Sequence, residues 1–269
     1  MTTAQPTAQS SPQSSPQSSP QPTTPPGSEL LGFSDVGVTY PNGTRALDGV
    51  DLRIRAGEFV SVVGPSGCGK STLLSLASGL ATHTDGYMQT GTDRIGYVFQ
   101  DATLLPWRTV AQNVEMLAEL DGIPRVERRD RAAAAIELVG LAGFEQSLPR
   151  ELSGGMKMRV SLARSLTLDP ELFLFDEPFG ALDEITRQRL GDELLGLFAA
   201  KRFAGLFITH SVAEAVYLST RVVVMSGRPG RIVHSVDVPF GPARDPEIRY
   251  TADYINLVGE VSQALEEAH

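Results

Sequence analysis

Along the second half of the chain, segments with the apolar spacing of helices and short apolar runs typical of strands follow one another. This order predicts a layered α/β fold. From about residue 156 onward, segments of helical spacing alternate with short apolar runs typical of strands. The strands are predicted at 171–175, 205–209 and 221–226, and the helices at 156–168, 184–200 and 211–218. Strands and helices in alternation form a mainly parallel sheet covered by helices. In such sheets ligands bind beyond the carboxyl ends of the strands.

Two other patterns precede this region. Short strand-like runs, one pair of them joined by a Pro-Asn-Gly turn, are found at residues 36–40, 50–54, around Tyr87 and at 95–99. Between residues 108 and 150, apolar residues recur at helical spacing, which predicts one helix from about Val110 and a second over 126–139. The sequence therefore predicts a β-rich N-terminal part and a helical insertion ahead of the alternating region.

The two ends of the chain differ from this central part. Residues 1–28 consist almost entirely of Ser, Pro, Gln and Thr, with a repeated Ser-Ser-Pro-Gln unit. Such a segment buries too little apolar surface to offset its ordering entropy, so we expect disorder, with a polyproline ligand or tether as the alternative. At the other end, Tyr254, Val258, Val261 and Leu265 form one apolar face of a final helix, expected to pack against the domain.

Composition narrows the class of protein. The 269 residues suit one large domain or two small ones, and 41% hydrophobic residues are sufficient for a packed core. A net charge of −9 argues against general nucleic-acid binding, which requires a basic face. Cys68 is the only cysteine, so an intrachain disulfide is impossible. We find neither an apolar run of about 18 residues nor the features of a signal peptide, and we expect a soluble protein.

The most specific motif is the run Gly64-Pro65-Ser66-Gly67-Cys68-Gly69-Lys70-Ser71-Thr72. It has the spacing of a nucleoside-triphosphate-binding phosphate loop, and it lies between a predicted buried strand and a predicted helix, as that motif requires. Glycines let the backbone approach a phosphate chain, and the following helix adds the positive end of its dipole. Lys70 is expected to reach the β- and γ-phosphates and Ser71 to hold Mg²⁺. The chain is thus predicted to bind ATP or GTP.

A second motif lies at the end of the apolar strand over 171–175, where Asp176 and Glu177 follow in succession. Two acids at a strand end are common and have no chemical meaning alone. With a phosphate loop in the same sheet, Asp176 is expected to orient Mg²⁺. Glu177 is then expected to hold the attacking water or to accept its proton.

A third motif, Leu152-Ser153-Gly154-Gly155-Met156, precedes a predicted helix and would form a second anion-binding helix terminus. If the two termini lie at opposite ends of one chain, a shared γ-phosphate requires two copies paired tail to head. With this set of motifs in this order, residues 30–235 resemble the ATPase subunit of an ABC transporter. The resemblance implies a homodimer that encloses ATP between its protomers, with Ser153, Gly154 and Gly155 acting in trans.

That resemblance also implies a fold and a domain division. The expected fold is that of an ABC-type phosphate-loop NTPase, α/β with a mostly parallel core sheet, an N-terminal antiparallel β-subdomain and an inserted α-helical subdomain. The expected parts are a disordered tail over 1–28, the ATPase domain over 29–240 with its helical subdomain at about 108–168, and a helical extension over 241–269.

Matched positions acquire expected roles from the family. Tyr40 resembles the aromatic residue that stacks on adenine, although a core aromatic residue is the alternative. Gln100 resembles the glutamine that contacts Mg²⁺ and the attacking water, and whose loop senses the membrane partner. Asp183, in Ala-Leu-Asp, resembles the residue of the loop that crosses the dimer seam. His210 resembles the switch histidine that contacts the γ-phosphate, although a lone histidine is more often structural.

Two positions depart from the family pattern. Met158 stands where most members have glutamine, which puts a polar contact beside the third motif in doubt. Ser211 replaces the usual aspartate after the histidine, and serine caps helices equally well.

Further segments are similar to importers of the nitrate, sulfonate and taurine group: Leu104-Leu105-Pro106-Trp107, Arg228-Pro229-Gly230-Arg231-Ile232 and Arg244-Asp245-Pro246-Glu247-Ile248. The loop over 101–110 is either core of the helical insertion or, if exposed, a surface for a partner helix. The resemblance implies transmembrane permease subunits as partners, an extracytoplasmic solute-binding protein as an indirect one, no nucleic acid, and a peripheral position at the cytoplasmic face of the membrane. A mechanical ATPase without a transport role and a regulatory module without turnover are the alternatives.

Overall fold

The structure of the chain is a computed structural model that describes Pro25 and residues 27–268. The expected disorder of the Ser/Pro/Gln-rich tail, and its polyproline alternative, therefore concern residues that lie almost wholly outside the described part of the chain. Within that part, strands and α-helices follow in chain order as β1 Glu29–Thr39, β2 Arg45–Arg55, β3 Phe59–Val63, α1 Lys70–Ala77, β4 Asp85–Thr90, β5 Ile95–Val98, α2 Val110–Leu120, α3 Arg125–Leu138, α4 Gly154–Leu166, β6 Leu172–Asp176, α5 Glu184–Lys201, β7 Ala204–Ile208, α6 Val212–Leu218, β8 Arg221–Met225, β9 Ile232–Asp237 and α7 Ala252–Glu267.

The central sheet has the strand order β5-β6-β7-β3-β8-β9, and its pairs are parallel except for β8 with β9. Every residue of β3 and β7 is buried, as expected for parallel strands covered on both faces. Val62, Ile208 and Asp176 are in register across β3, β7 and β6. The carboxyl ends of these three strands therefore meet at one level, where the phosphate loop begins.

A separate antiparallel sheet of order β2-β1-β4 forms the N-terminal part. Both long strands extend beyond the runs that their sequence pattern predicts. The pairing of β1 with β2 contains register shifts between Phe33 and Val36, and Asp35 there has a φ of 51°. Such bulges interrupt the alternation of apolar and polar residues, so the pattern alone cannot reveal one continuous strand.

Helices α2, α3 and α4 pack around a small apolar core of their own, which includes Val114, Ile136 and Val160. Helix α2 begins with a capping box, in which Thr109 Oγ1 accepts a hydrogen bond from the Gln112 backbone and Gln112 Oε1 accepts one from the Thr109 backbone. Helix α4 begins at Gly154, two residues before the predicted start. Glycine lowers helix propensity, so the pattern alone assigns the Gly-Gly pair to a loop.

The last segment of the chain returns to the central layer. Tyr254 and Val261 of α7 are buried in the same apolar cluster as Phe207 of β7 and Leu194 of α5. The expected packing of the final helix is thus confirmed, and so is the α/β fold. Among the helices of residues 27–268, none combines the length and the apolarity that crossing a membrane requires.

Candidate active site

The phosphate loop joins β3 to α1 and depends on glycine at its last position. Gly69 has a φ of 111°, and a Cβ atom there would lie 2.7 Å from Leu47 Cδ2 and 2.9 Å from the Ala46 carbonyl. No side chain caps the N-terminus of α1. The first amides of α1 are therefore left for an anion, at the positive end of the helix dipole.

Lys70 is the cation of this loop. Its side chain is buried, and Nζ donates hydrogen bonds to the carbonyls of Gly64 at 2.8 Å and Pro65 at 2.9 Å. The ammonium is thus held by the loop itself, with carbonyl oxygens that phosphate oxygens can replace. The loop lines a cleft of about 440 Å³ together with Tyr40, Asn42, Thr44, Ala46, Glu177 and Arg228.

The two strand-end carboxylates lie beside the loop. The hydroxyl of Ser71 donates to Oδ1 of Asp176 at 3.5 Å. Burial, and next the negative charge of Glu177, raise the pKa of Asp176, while Ser71 and Lys70 act in the opposite direction. Glu177 itself has a left-handed backbone, with φ of 43°, and its amide donates to the Ile208 carbonyl. This edge of the sheet therefore carries negative charge at a partly desolvated position.

A hydroxyl and a carboxylate are the hard oxygen ligands that Mg²⁺ prefers. The part of the chain that is described contains no group of three or more His, Cys, Asp or Glu residues that could enclose a metal alone. Mg²⁺ usually takes one or two carboxylates together with phosphate oxygens and waters. Ser71 and Asp176 fit that kind of site.

His210 follows β7 and meets Glu177, because β7 and β6 are neighbours in the sheet. Its Nδ1 atom lies 3.2 Å from Glu177 Oε2. The next residue, Ser211, caps α6 by accepting a hydrogen bond from the Glu214 amide, as the sequence predicts. His210 is therefore fixed between a strand end and the start of a short helix.

Gln100 reaches the same place from β5, at the edge of the sheet. The position that a Cβ atom on Gly180 would occupy lies 3.6 Å from Gln100 Nε2 and 3.7 Å from Glu177 Oε2. Gln100 and Glu177 therefore both lie beside Gly180, a proximity that the sequence does not reveal.

Tyr40 lies at the rim of the cleft and not in the core. Its side chain is 44% exposed, and its hydroxyl is 3.0 Å from Thr72 Oγ1 on α1. An exposed aromatic ring beside the phosphate loop is available for stacking on a base, whereas the core alternative is wrong.

The third motif lies on other elements. Ser153 caps α4 by accepting a hydrogen bond from the Met156 amide at 3.3 Å. A Cβ atom on Gly155 would lie 2.9 Å from Thr186 Cγ2 of α5. Asp183 caps α5, and its hydrogen bonds from the Thr186 amide and hydroxyl lower its pKa. The start of α4 and the start of α5 thus form one unit.

None of the third-motif residues, nor Asp183, lines the phosphate-loop cleft within the described part of the chain. The sequence-predicted residues therefore fall into two groups, one at the sheet edge and one at the paired helix starts. Met158 behind the second group is buried among apolar side chains, which agrees with the absence of a polar contact there.

Arg228 is a charged residue of the cleft that the sequence analysis does not identify as a site residue, and neither Asn42, Thr44 nor Ala46 is identified as one. The Nε and Nη2 atoms of Arg228 donate to the Gly67 carbonyl at 3.1 and 2.9 Å. The sequence shows it only as part of a family motif, because the two residues are 161 positions apart and no local pattern links them.

Comparison with known proteins agrees with this geometry. The sequence profile described as ABC transporter matches residues 47–180. An uncharacterized ABC transporter ATP-binding protein of Methanocaldococcus jannaschii is 49% identical over 76% of this chain and 79% of its own length. An aliphatic sulfonates import ATP-binding protein of Pseudomonas syringae is 44% identical over 84% and 92%. A nitrate import ATP-binding protein of Synechocystis is 46% identical over 72% and 75%.

Solved structures give the same result. A dimeric ATP-binding cassette in a post-hydrolysis state, bound to ADP and Pi, is 30% identical with a TM-score of 0.69, and the match covers 79% of this chain and 100% of that one. A protein of Clostridium perfringens that is part of an ABC transporter complex, at 24% identity and a TM-score of 0.73 over 89% of this chain and 97% of that one, supports the fold alone. Together with the phosphate loop, the paired carboxylates and the third motif, these likenesses place the chain in the family of ABC transporter ATP-binding proteins, which are ATPases.

Proposed function

We propose that this chain is the ATP-hydrolysing subunit of an ABC importer, in which two copies close around two ATP molecules and drive a membrane permease. The observation that carries the proposal is the convergence at one sheet edge. Strands β3, β6 and β7 bring Lys70 with Ser71, Asp176 with Glu177, and His210 to the same level. A triphosphate bound on the loop would have its γ-phosphate beside all five of these side chains.

Binding begins with the phosphate loop. The free amides of α1 and the Lys70 ammonium contact the β- and γ-phosphates, so that Nζ exchanges the Gly64 and Pro65 carbonyls for phosphate oxygens. Tyr40 stacks on the adenine. Ser71, Asp176 and Gln100 would hold Mg²⁺, which neutralises the phosphate charge when bound.

Hydrolysis is assigned to Glu177 and His210. The Glu177 carboxylate holds the attacking water in line with the γ-phosphate and accepts its proton as the new P–O bond forms, while the bond from the γ-phosphorus to the β–γ bridging oxygen breaks and its electron pair leaves with ADP. His210 contacts the γ-phosphate and orients Glu177, to which its Nδ1 atom already lies within hydrogen-bond distance. Gln100, which follows β5, completes the site beside the residues that follow β6 and β7.

The remaining charge stabilisation comes from a second copy of the chain. Ser153, Gly154 and Gly155 form a helix N-terminus that lies outside the cleft of its own protomer, and Asp183 stands beside it. Tail-to-head pairing brings that terminus to the γ-phosphate of the partner. By analogy with arginine fingers, its effect on the rate is on the order of 10³-fold.

The permease surface is assigned to the loop after Gln100. Trp107 is 72% exposed, with Leu104 and Leu105 half-buried beside it. Arg164 of α4 donates hydrogen bonds to the carbonyls of Ala102 and Thr103, so this loop is tied to the helix that begins with the third motif. A push on the loop by a permease helix is thereby transmitted to both halves of the nucleotide site.

The chemical class of the transported solute is inferred from the names of the relatives. Importers of nitrate and of aliphatic sulfonates take small anions, and we assign this subunit to the uptake of a solute of that class, with an extracytoplasmic binding protein as indirect partner. The subunit then lies peripherally at the cytoplasmic face of the membrane. Its net charge of −9 fits no role in nucleic-acid binding.

The test is ATP-dependent phosphate release by the purified chain, compared with its Lys70→Ala variant. We expect ATP binding and turnover in the wild type and the loss of tight binding in the variant. Lys201→Ala, at the far end of α5, is the matched control and should behave as wild type. Normal ATP affinity in Lys70→Ala would refute the nucleotide site. Co-purification with a soluble partner, and without a membrane permease, would favour a mechanical ATPase.

A further inference from the structure

Helix α6, which carries His210 at its entry, is too short to hold its own position. It spans only Val212–Leu218, and isolated helices of this length are unstable in water. Its last carbonyls have no partners within the helix. Contacts with residues outside α6 must therefore hold this helix in place. The residues that make those contacts determine the position of His210.

Arg244 fixes the C-terminal end of α6. Its Nη1 atom donates to the carbonyls of Val216 and Tyr217, and its Nη2 atom donates to the carbonyl of Ser219. Further hydrogen bonds reach the carbonyls of Phe240 and Gly241, so all five go to the backbone. The guanidinium thus supplies hydrogen-bond donors to the unpaired carbonyls at the C-terminal end of the helix. It also places a positive charge at the negative end of the helix dipole.

Arg244 remains charged in this position. Burial lowers its pKa to about 10, which still leaves it protonated at neutral pH. Lysine could not replace it fully, because an ammonium lacks the planar fork that meets several carbonyls at once.

The other end of α6 is held by the final helix and by α5. The hydroxyl of Tyr254 in α7 donates to the Ala213 carbonyl at 2.8 Å. Glu214 lies 3.2 Å from Arg187 Nε of α5 and accepts a hydrogen bond from the Thr209 hydroxyl at 2.6 Å. Two residues beyond β9, Arg244 and Tyr254, therefore hold α6 at its two ends, and the contact of Tyr254 is with Ala213, three positions after His210.

We propose that the C-terminal segment positions the switch histidine, with Arg244 as the principal positioning residue. Arg244 does not line the phosphate-loop cleft in the described structure, so it acts on the reaction through α6. Without it, the Val216, Tyr217 and Ser219 carbonyls lose their donor. The helix then shifts or frays and His210 leaves Glu177. The inference rests on the proposed role of His210 in turnover.

The first experiment compares Arg244→Met and Arg244→Lys with wild type in kcat and in ATP affinity. We expect kcat to fall about tenfold in the methionine variant and less in the lysine variant, with ATP affinity unchanged, since the phosphate loop is untouched. Arg221→Met is the matched control. Arg221 donates to the Arg53 carbonyl and pairs with Glu58 at the opposite end of the sheet, so its loss should lower thermal stability but not kcat.

A double-mutant cycle separates positioning from general destabilisation. In a His210→Ala background, Arg244→Met should cause no further fall in kcat, because the group that it positions is absent. An equal fall in both backgrounds would overturn the inference. Should Arg244→Met fail to fold, Tyr254→Phe removes a single hydrogen bond to α6. It should still lower kcat about threefold and speed amide exchange in α6.

The two proposals fail in different ways. Wild-type turnover in His210→Ala would refute the proposed role of His210 and this inference with it. If His210→Ala is strongly impaired while Arg244→Met and Tyr254→Phe both keep the wild-type kcat, this inference alone is refuted.

Discussion

The Nδ1 atom of His210 lies 3.2 Å from Oε2 of Glu177, although the two residues are 33 positions apart in the chain. The contact exists because β6 and β7 are adjacent and parallel, so that their carboxyl ends coincide. Either a proton-accepting or a water-holding role of Glu177 requires its carboxylate to be free to face the nucleotide. The contact with His210 holds one oxygen of that carboxylate from the end of the neighbouring strand β7.

Glu177→Gln should separate binding from hydrolysis. The amide keeps the shape of the side chain but cannot accept a proton, so we expect ATP binding to persist and turnover to fall at least about hundredfold. With ATP the variant should accumulate as a closed dimer, measured as a doubled mass by light scattering. Wild-type turnover in this variant would remove Glu177 from the catalytic role.

Gly155→Ala should weaken the trans half of the site. The added Cβ atom would lie 2.9 Å from Thr186 Cγ2, so the start of α4 must move away from α5. Overpacking of this kind costs about 1–3 kcal/mol of stability. We expect nucleotide binding by the monomer to persist, while ATP-driven dimerisation and turnover fall.

Gly196→Ala is the matched control for this variant. Gly196 lies in α5 as well, but a Cβ atom there meets no atom within 4 Å. Alanine in place of glycine in a helix should stabilise the protein by about 1 kcal/mol and leave turnover unchanged. Equal behaviour of the two variants in calorimetry and in ATPase assays would contradict the packing argument.

Arg228→Met should lower the affinity for ATP. The Arg228 guanidinium donates hydrogen bonds to the Gly67 carbonyl and lines the cleft. Its loss leaves the backbone of the phosphate loop at Gly67 less restrained and removes a positive charge from the phosphate site. We expect the dissociation constant of ATP to rise about tenfold, measured by titration calorimetry. Arg189→Met, an exposed arginine of α5, should leave it unchanged.

These residues also show how far the sequence alone leads. The phosphate loop is predicted from the spacing of its glycines and lysine after a buried strand, and Asp176 with Glu177 from their place after a second buried strand. Ligand sites in such sheets lie beyond the carboxyl ends of the strands. The start of α4 was misplaced by two residues, because Gly154 and Gly155 are poor helix formers and belong to the helix only through Ser153 and the contact with α5.

Contacts between distant parts of the chain could not be predicted in this way. Arg228 meets Gly67 only because the segment after β8 lies against the phosphate loop. Arg244 likewise meets α6 across 28 positions, and the sequence shows it only as part of a motif shared with importers. An arginine that binds carbonyls has no periodic signal, since its partners are backbone groups present in every residue.

The stability of the α5–α6 junction should depend on pH through Glu214. Burial raises the pKa of Glu214, while the Thr209 hydrogen bond and Arg187 counteract the rise. The folded state therefore binds a proton at higher pH than the unfolded state. The stabilisation from that proton is fully present below the unfolded-state pKa and is lost as pH rises through the folded-state pKa.

Glu214→Gln removes this titration while retaining an acceptor for the Thr209 hydroxyl. We expect the melting temperature of the wild type, minus that of the variant, to increase as pH falls from neutral through the folded-state pKa of Glu214. Thermal unfolding at a series of pH values measures it, with Glu260→Gln on the exposed face of α7 as control. A difference that stays constant, or shrinks towards acid, would show that the Arg187 pair outweighs burial and that Glu214 is a stabilising anion in the folded protein.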